Sequence, residues 1–433
     1  MFRRIWTHGI DAPIANTFKF QVVYAAPGTF TLPINTGGAG YVHNFTVNWG
    51  DGTPDSTVTS FDDPDRIHTY AGAGTYNITM TGVCEWFAFN NAGDKDKITK
   101  LLAFMGDMRF KRLNFQGCLN LNTIIPLGIK NALTLATSMF ANCTSITVIP
   151  SGLFDGCPNI TSFSMAFFGD TGITSIPGNL FKYNILATAF PAAFYGNTSL
   201  TSIPEDIFRY NPLVTTFGST FWGNTSLTSI PEDIFRYNPL VTLFGSTFWG
   251  NTSLTSIPED IFRYNPLVTT FGGTFLGDTG IIEIPDNLFK YNPKVTHFGS
   301  TFWGNTSLTS IPEDIFRYNP LVTIMSATFR GCLNITAIPI HIFDYNTLLT
   351  TVASVFYGCI GLVCSLDGNI FLNCLVLVNF EEAFQGCANM TGLGQPIIDN
   401  TALPGHSVPT ATAGCFNGCI GLTDYATIPA GWK

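Results

Sequence analysis

A 27-residue unit repeats through most of this chain, and its shortness decides the architecture. Residues 197–223 (NTSLTSIPEDIFRYNPLVTTFGSTFWG) and 224–250 differ only at Thr216 and Leu243. The Ile-Pro step recurs at Ile149, Ile176, Ile203, Ile230, Ile257, Ile284, Ile311 and Ile338, always 27 residues apart. A unit this short cannot bury its own apolar face, so consecutive units must stack and share one core. The pattern therefore predicts a solenoid and favours presentation of a long surface over catalysis.

One phenylalanine per coil can be followed at Phe115, Phe140, Phe167, Phe194, Phe221, Phe248, Phe275, Phe302, Phe329, Phe356, Phe384 and Phe416. Its spacing is 25, then eight intervals of 27, then 28 and 32 residues, so regularity fails at both ends, as capping coils require. Within a coil, LTSIP is expected as a short strand. Pro204-Glu205-Asp206-Ile207-Phe208-Arg209-Tyr210 has the chemistry of a short helix, with proline and acids first and a base four residues after Glu205. LVTTFGSTF is expected as a second strand. The Phe217 column (Phe244, Phe271, Phe298, Met325, Val352) should face the core; the Thr216 and Arg209 columns should face out.

Two columns interchange Asn and Cys. One runs through Cys118, Cys143, Asp170, Asn197, Asn224, Asn251, Asp278, Asn305, Cys332, Cys359, Cys387 and Cys419; the other runs from Cys157 through Asn184, Asn211 and Asn238 to Cys374. An inward Asn can bond the turn groups that the coil-to-coil ladder leaves over, and Cys fits the same site as a weak donor. Asn197, Asn224, Asn251, Asn305, Cys332 and Cys359 are therefore expected as a structural ladder. The Asn-x-Thr/Ser matches there are ladder positions rather than glycosylation acceptors, and the eleven cysteines are small buried side chains rather than disulfide or zinc ligands.

The first 95 residues differ. FKFQVVYA, FTLPI, YVHNFTVNW, IHTYA and TYNITMTGV alternate as short strands between Gly- and Asp-rich turns, which predicts a small β-sandwich. The organisation expected is a β-sandwich over 1–95, a connector and N-terminal cap over 96–112, the solenoid over 113–423 and a terminal cap over 424–433. The fold class is mainly β. Net charge of −9 with only 11% charged residues supplies no basic stripe for nucleic acid. The amino-terminal stretch with Arg3 and Arg4 has no apolar run of signal-peptide length, and no segment approaches a membrane span, so neither export signal nor membrane insertion is expected.

The six histidines (His8, His43, His68, His297, His341, His406) form no nucleophile or metal motif, so no catalytic residue, metal site or cofactor is expected. The Asp51 turn and the Asp62–Asp65 loop offer oxygen ligands without the regular spacing of a calcium site. One outward row, Tyr195, Trp222, Trp249, Leu276, Trp303, Arg330 and Tyr357, stacks aromatics that suit a sugar face or a flat protein partner. The competing reading has the same rings lying over the turns of adjacent coils. A second row sets Glu205, Glu232 and Glu259 beside Arg209, Arg236 and Arg263 as a solvated face.

Trp49-Gly50-Asp51-Gly52, His68-Thr69-Tyr70 and Gly74-Thr75-Tyr76-Asn77-Ile78 together resemble a polycystic-kidney-disease (PKD) domain, an immunoglobulin-like sandwich. The repeats, as in Phe329-Arg330-Gly331-Cys332-Leu333-Asn334-Ile335-Thr336-Ala337-Ile338-Pro339, resemble the BspA-like leucine-rich repeats of bacterial and phage surface proteins. The combination implies a non-enzymatic adhesive or structural surface protein. With no export signal in view, the favoured expectation is a phage virion protein that decorates capsid or tail. Its expected partners are other virion proteins and host-surface glycan or protein, with homo-oligomers allowed. A bacterial cell-surface adhesin is the alternative.

Overall fold

Alternation along the first strand sets the amino-terminal core: Phe18, Phe20, Val22 and Tyr24 are buried while Val23 is exposed. The computed structural model describes residues 16–35, 40–128, 132–366 and 369–433; Arg3, Arg4 and His8 lie outside them. The strands in chain order are β1 (Thr17–Tyr24), β2 (Gly28–Thr31), β3 (His43–Asn48), β4 (Ser56–Val58), β5 (Ile67–Tyr70), β6 (Gly74–Cys84), β7 (Trp86–Ala88), β8 (Ile98–Met105) and β9 (Arg112–Asn114). Five of them form one antiparallel sheet in the order β4-β3-β6-β1-β8, and β2 pairs with β5. The two sheets share an aromatic core, with Phe20 and Phe30 5.9 Å apart and Tyr24 and Tyr70 5.1 Å apart.

The sheet extends past residue 95. Strand β8 falls in the segment expected to be a connector, yet it pairs with β1 from Thr17 opposite Met105 to Val22 opposite Ile98. Its buried residues, Ile98 and Leu101, fall three apart across a register shift against β1, so no two-residue alternation marks the strand in the sequence. The opposite edge of β8 starts the solenoid: Leu101 N–H donates to Thr123 O at 2.9 Å, and Lys100 forms a parallel bridge to Thr123. Next to it, β7 pairs in parallel with β9. Phe87 touches Phe18 (5.1 Å) and Phe115 (6.0 Å), and Phe115 stacks on Phe140 (5.6 Å). One buried core thus runs from the sheets into the repeats.

The coils themselves are made of tight turns, not of the strand and helix expected from local composition. In 204–211 the bonds are of i→i+3 type: Ile207 N–H to Pro204 O, Arg209 N–H to Asp206 O and Asn211 N–H to Phe208 O, at 3.1–3.3 Å. The seven residues from Pro204 to Tyr210, before the Asn211-Pro212 step, are too few to propagate an α-helix. The other half-coil keeps a single parallel bridge, as between Thr216 and Leu243. Beyond it the backbone swings left-handed at Ser219 (φ 58°) and Gly223 (φ 73°), which ends the strand. Glycine suits the second point because of its left-handed φ, 73° at both Gly223 and Gly250; a Cβ there would meet its neighbours only at ordinary contact distance.

Coil-to-coil bonding persists without strands. Phe217, Ser219, Phe221 and Gly223 donate to Leu243, Gly245, Thr247 and Trp249 of the next coil at 2.7–3.2 Å, and Thr242 donates back to Thr215 at 2.9 Å. Inside, phenylalanines stack rung on rung, with Phe221–Phe248 at 5.9 Å and Phe217–Phe244 at 6.0 Å, and Phe208 wedges against Phe217 at 4.5 Å. At the far end, the 32-residue interval before Phe416 accommodates a short helix, α1 (Gln395–Asn400). Asp424 accepts the backbone N–H groups of Gly394 and Gln395 at 2.9 and 2.7 Å. Trp432 then covers Phe380 and Phe416 (5.4 and 6.2 Å) and closes the core.

Candidate functional site

Every polar side chain that repeats inside the coils is committed to a neighbouring coil. In the central column, the oxygen of each Asn accepts the backbone N–H of the rung before it: Asn197 N–H to Asn224 Oδ1 and Asn224 N–H to Asn251 Oδ1, both at 2.8 Å. Asp278 continues this by accepting from Asn251 N–H at 2.7 Å, and Asn305 accepts from Asp278 N–H at 3.0 Å. Where Cys takes over, the thiol points at a carbonyl instead: Cys332 to Phe302 O and Cys359 to Phe329 O, both at 3.1 Å. In the second column, Asn211 Nδ2 bridges Phe181 O and Asn184 O at 3.1 and 2.9 Å. A third ladder escaped sequence reasoning: Thr220, Thr247, Thr274, Thr301 and Thr328 are buried and donate to core-column carbonyls of their own and the preceding coil, all Phe except Met325 for Thr328. Its signal, a Thr before the column phenylalanine in five successive coils from Phe221 to Phe329, was present in the repeat.

Burial also settles the chemistry of these groups. Asn197, Asn224, Asn251 and Asn305 are wholly buried, so none can accept a glycan in the folded chain. The Cys332 thiol is pushed up by burial to about 12, too high for a nucleophile at neutral pH. All eleven cysteines are free thiols. Among the described residues, no three His, Cys, Asp or Glu side chains gather as a metal site requires.

The outward aromatic row is a stack in two blocks. Phe168 lies on Tyr195 (4.4 Å), Tyr195 meets Trp222 (4.9 Å), and Trp222 lies flat on Trp249 (3.8 Å, 11°). Leu276 interrupts it. Beyond the break, the Arg330 guanidinium is sandwiched between Trp303 (5.1 Å) and Tyr357 (3.9 Å) and paired with Glu382 at 3.7 Å. Tyr195, Trp222, Trp249 and Tyr357 are half-buried, and Trp303 is 40% exposed.

The charged row is arranged differently from expectation. Arg209 pairs with Asp206 (3.3 Å), not with Glu205, and Arg236 and Arg263 likewise take Asp233 and Asp260. Side chains three apart eclipse in an i→i+3 turn, whereas a four-residue pair needs the α-helix that does not form. Each Arg also lies over the tyrosine of the next coil: Arg209 over Tyr237, Arg236 over Tyr264 and Arg263 over Tyr291, all at 5.1 Å. The recurring Arg-Tyr dipeptide was the overlooked signal.

In the amino-terminal module, Trp49, Asp51, His68 and Tyr70 knit a turn to a strand. His68 Nε2 is 2.7 Å from Asp51 Oδ2, the Trp49 and His68 rings stack at 4.8 Å and 11°, and Tyr70 OH donates to Trp49 O at 2.9 Å. Partial burial works to raise the Asp51 carboxyl, but hydrogen bonds from Thr53 and His68 outweigh it and hold it at about 2. Asp63 accepts from Thr59 N–H, Thr59 OH and Asp65 N–H at 2.9–3.1 Å. These carboxylates are used by their own turns. A cavity of about 220 Å³ opens within the amino-terminal module, between Leu32, Arg66, Phe89 and Asp94. Asp94 there already accepts the Thr31 N–H at 2.8 Å.

No protein-family model matches the chain, and a search of curated proteins gives no match. Among solved structures, the chain is similar to the Drosophila Toll–Spatzle complex, with 17% identity and a TM-score of 0.43 over 73% of this chain and 40% of that one. It is similar also to a leucine-rich cell-surface protein of Faecalibacterium prausnitzii (16% identity, TM-score 0.20, 61% of this chain and 74% of that one). A third is the functional domain of InlJ from Listeria monocytogenes, described as including a cysteine ladder (14% identity, TM-score 0.20, 69% of this chain and 68% of that one). The chain spans less than half the length of the Toll chain.

Proposed function

We propose that this chain is a non-enzymatic phage virion structural protein. In this reading it is a capsid or tail decoration, or a fibre, in which a PKD-like, immunoglobulin-like module carries a BspA-like leucine-rich-repeat solenoid. Its surface meets other virion proteins, braces the particle, or adheres to host-surface glycan or protein. One observation supports the non-enzymatic, surface-presenting part: the polar side chains that repeat inside the coils are buried and each is bonded to a neighbouring coil, which leaves the outer rows as the surface for contact. The continuous core from Phe18 to Trp432 supports a stiff body suited to projecting such rows. The virion placement rests on the resemblance of the two regions in this order.

Mass spectrometry and immunogold labelling of purified phage particles test this. The chain is expected in the particles at a fixed copy number. Its absence there, with labelling of the bacterial surface instead, would replace the virion reading with the adhesin reading.

A further inference from the structure

Coil 251–277 is identical to coil 197–223 at all but two positions, Gly273 for Ser219 and Leu276 for Trp222. Both changes remove volume, and both fall at one place: a Cβ added to Gly273 would stand 3.9 Å from Leu276 Cδ1 and 3.2 Å from Ser246 Oγ. The surrounding rungs keep their tryptophans. Trp249 has one face covered by Trp222. The Trp249 and Trp303 indoles lean the same way, towards Gly277 and Gly331, and the face of Trp303 away from Leu276 is covered by Arg330 at 5.1 Å. Among the described residues no ring or guanidinium lies against either indole on the Leu276 side; Trp303 is the most exposed tryptophan of the row and Trp249 is half-buried.

We infer that Gly273 and Leu276 open a notch between Trp249 and Trp303 that binds one ring of a neutral sugar. The inference rests on the surface-adhesion reading and names a site within it. Two rungs of about 4.8 Å each set the indoles roughly 10 Å apart. A ring held about 3.5–4.0 Å from each face fits that gap, with Leu276 as its floor. The lining residues Ser246, Trp249, Gly273, Leu276, Ser300 and Trp303 carry no charge, which favours a neutral ligand over an acidic one. A pyranose offers apolar C–H faces to both indoles and a rim of hydroxyls to Ser246. An aromatic side chain would leave that serine unmatched.

The test uses the full chain against immobilised neutral and acidic oligosaccharides, with affinities measured by calorimetry. The double variant Leu276→Trp/Gly273→Ser restores what the neighbouring coils already carry, so it folds, and its melting temperature should match the parent. Neutral oligosaccharides should bind the parent, and the double variant should lose at least about tenfold in affinity. Trp303→Ala should lose a similar factor. Unchanged affinity in the double variant, binding of acidic sugars alone, or no binding by the parent overturns the notch. So does loss of a host protein partner in the double variant with sugar binding intact. Detection of the chain in phage particles is independent of all four, so the notch can fail while the virion reading stands.

Discussion

The Asn-laddered coils around 197–305 and the Cys-laddered coils around 332–419 fill the same column with opposite chemistry. An Asn oxygen takes the backbone N–H of the rung before it, so Asn197, Asn224 and Asn251 bond across coils. A Cys offers no such acceptor, and the N–H stays in its own turn: Cys332 N–H goes to Phe329 O (3.2 Å) and Cys359 N–H to Phe356 O (3.1 Å). The switch is visible at the boundary. Asn305 accepts from Asp278 yet turns its own N–H back to Phe302 O at 3.2 Å, because the next rung is Cys332. Asn binds coils together through side chain and backbone, whereas Cys seals each turn and adds one weak S–H bond to the coil below. The two halves should therefore differ in how much each rung contributes, while sharing one register.

The shared register is the easiest part to break. Deleting 224–250 joins Gly223 to Asn251 in phase, so every ladder stays continuous and the chain should melt cooperatively within a few degrees of the parent. Deleting 224–236 places a first-half turn over a second-half turn, and no cooperative melt should remain. Equal melting curves for the two deletions would refute the register. Next comes the contrast between ladders. Asn251→Ala takes the cross-coil acceptor from Asn224 N–H, which can fall back only on its own turn as Asn305 N–H does, and should cost about 2 kcal/mol in denaturant unfolding. Cys359→Ala removes only the weak bond to Phe329 O and a small volume, for about 1 kcal/mol. Equal losses would show that the amide and the thiol do the same job.

Asp170 and Asp278 occupy Asn positions and sharpen the comparison through pH. Asp278 is fully buried between Asn251 and Asn305, with no ionised group facing it among the described residues, and Oδ2 has no hydrogen-bond partner. Burial raises its carboxyl well above the ordinary range, against the opposing pull of the Asn251 and Gly250 N–H groups. Asp170 is raised for the same reason, against the pull of the Cys143 backbone N–H. A carboxyl raised in the fold gives its full stability below its unfolded value of about 4 and loses it as pH climbs through the folded value. Asp278→Asn should therefore stabilise the chain by about 1–2 kcal/mol at pH 7 and change little at pH 4. Unfolding measured at both pH values checks the sign; a gain that grows at low pH contradicts it.

The columns were legible because identity at fixed spacing reports environment directly: Phe217 accepts only apolar substitutes, and the Asn column accepts Asp and Cys but nothing large. Local conformation was not legible. Pro204 and its following acids begin a single i→i+3 turn just as well as a helix, and only the length available before Asn211-Pro212 separates the two. The Asp206–Arg209 pair was missed for the same reason. Strand β8 was hidden because Ile98 and Leu101 fall three apart, with no two-residue alternation to mark it. The outer rows were legible as rows, but not which ring faces are covered: that depends on Arg330 and Arg209 reaching into adjacent coils.

The smallest expected effect concerns the backbone that both kinds of coil share. Each coil places a residue in the left-handed region at the Ser219 position: Ser246 (φ 57°), Ser300 (φ 60°), Ala327 (φ 56°) and Ser354 (φ 56°), with glycine at Gly273. An L-residue there costs about 1 kcal/mol, which stacking imposes because the N–H at this point donates to the next coil, as Ser246 does to Gly272 O at 2.9 Å. Ser246→Gly relieves that strain but gives the unfolded chain more freedom, and the two terms nearly cancel. The net change should be a gain of less than about 0.5 kcal/mol, the same in Ala327→Gly although its coil closes on Cys332. Denaturant midpoints for the two variants check this. A large gain in one half alone would mean that the ladders, and not only the stacking, hold this residue in its strained conformation.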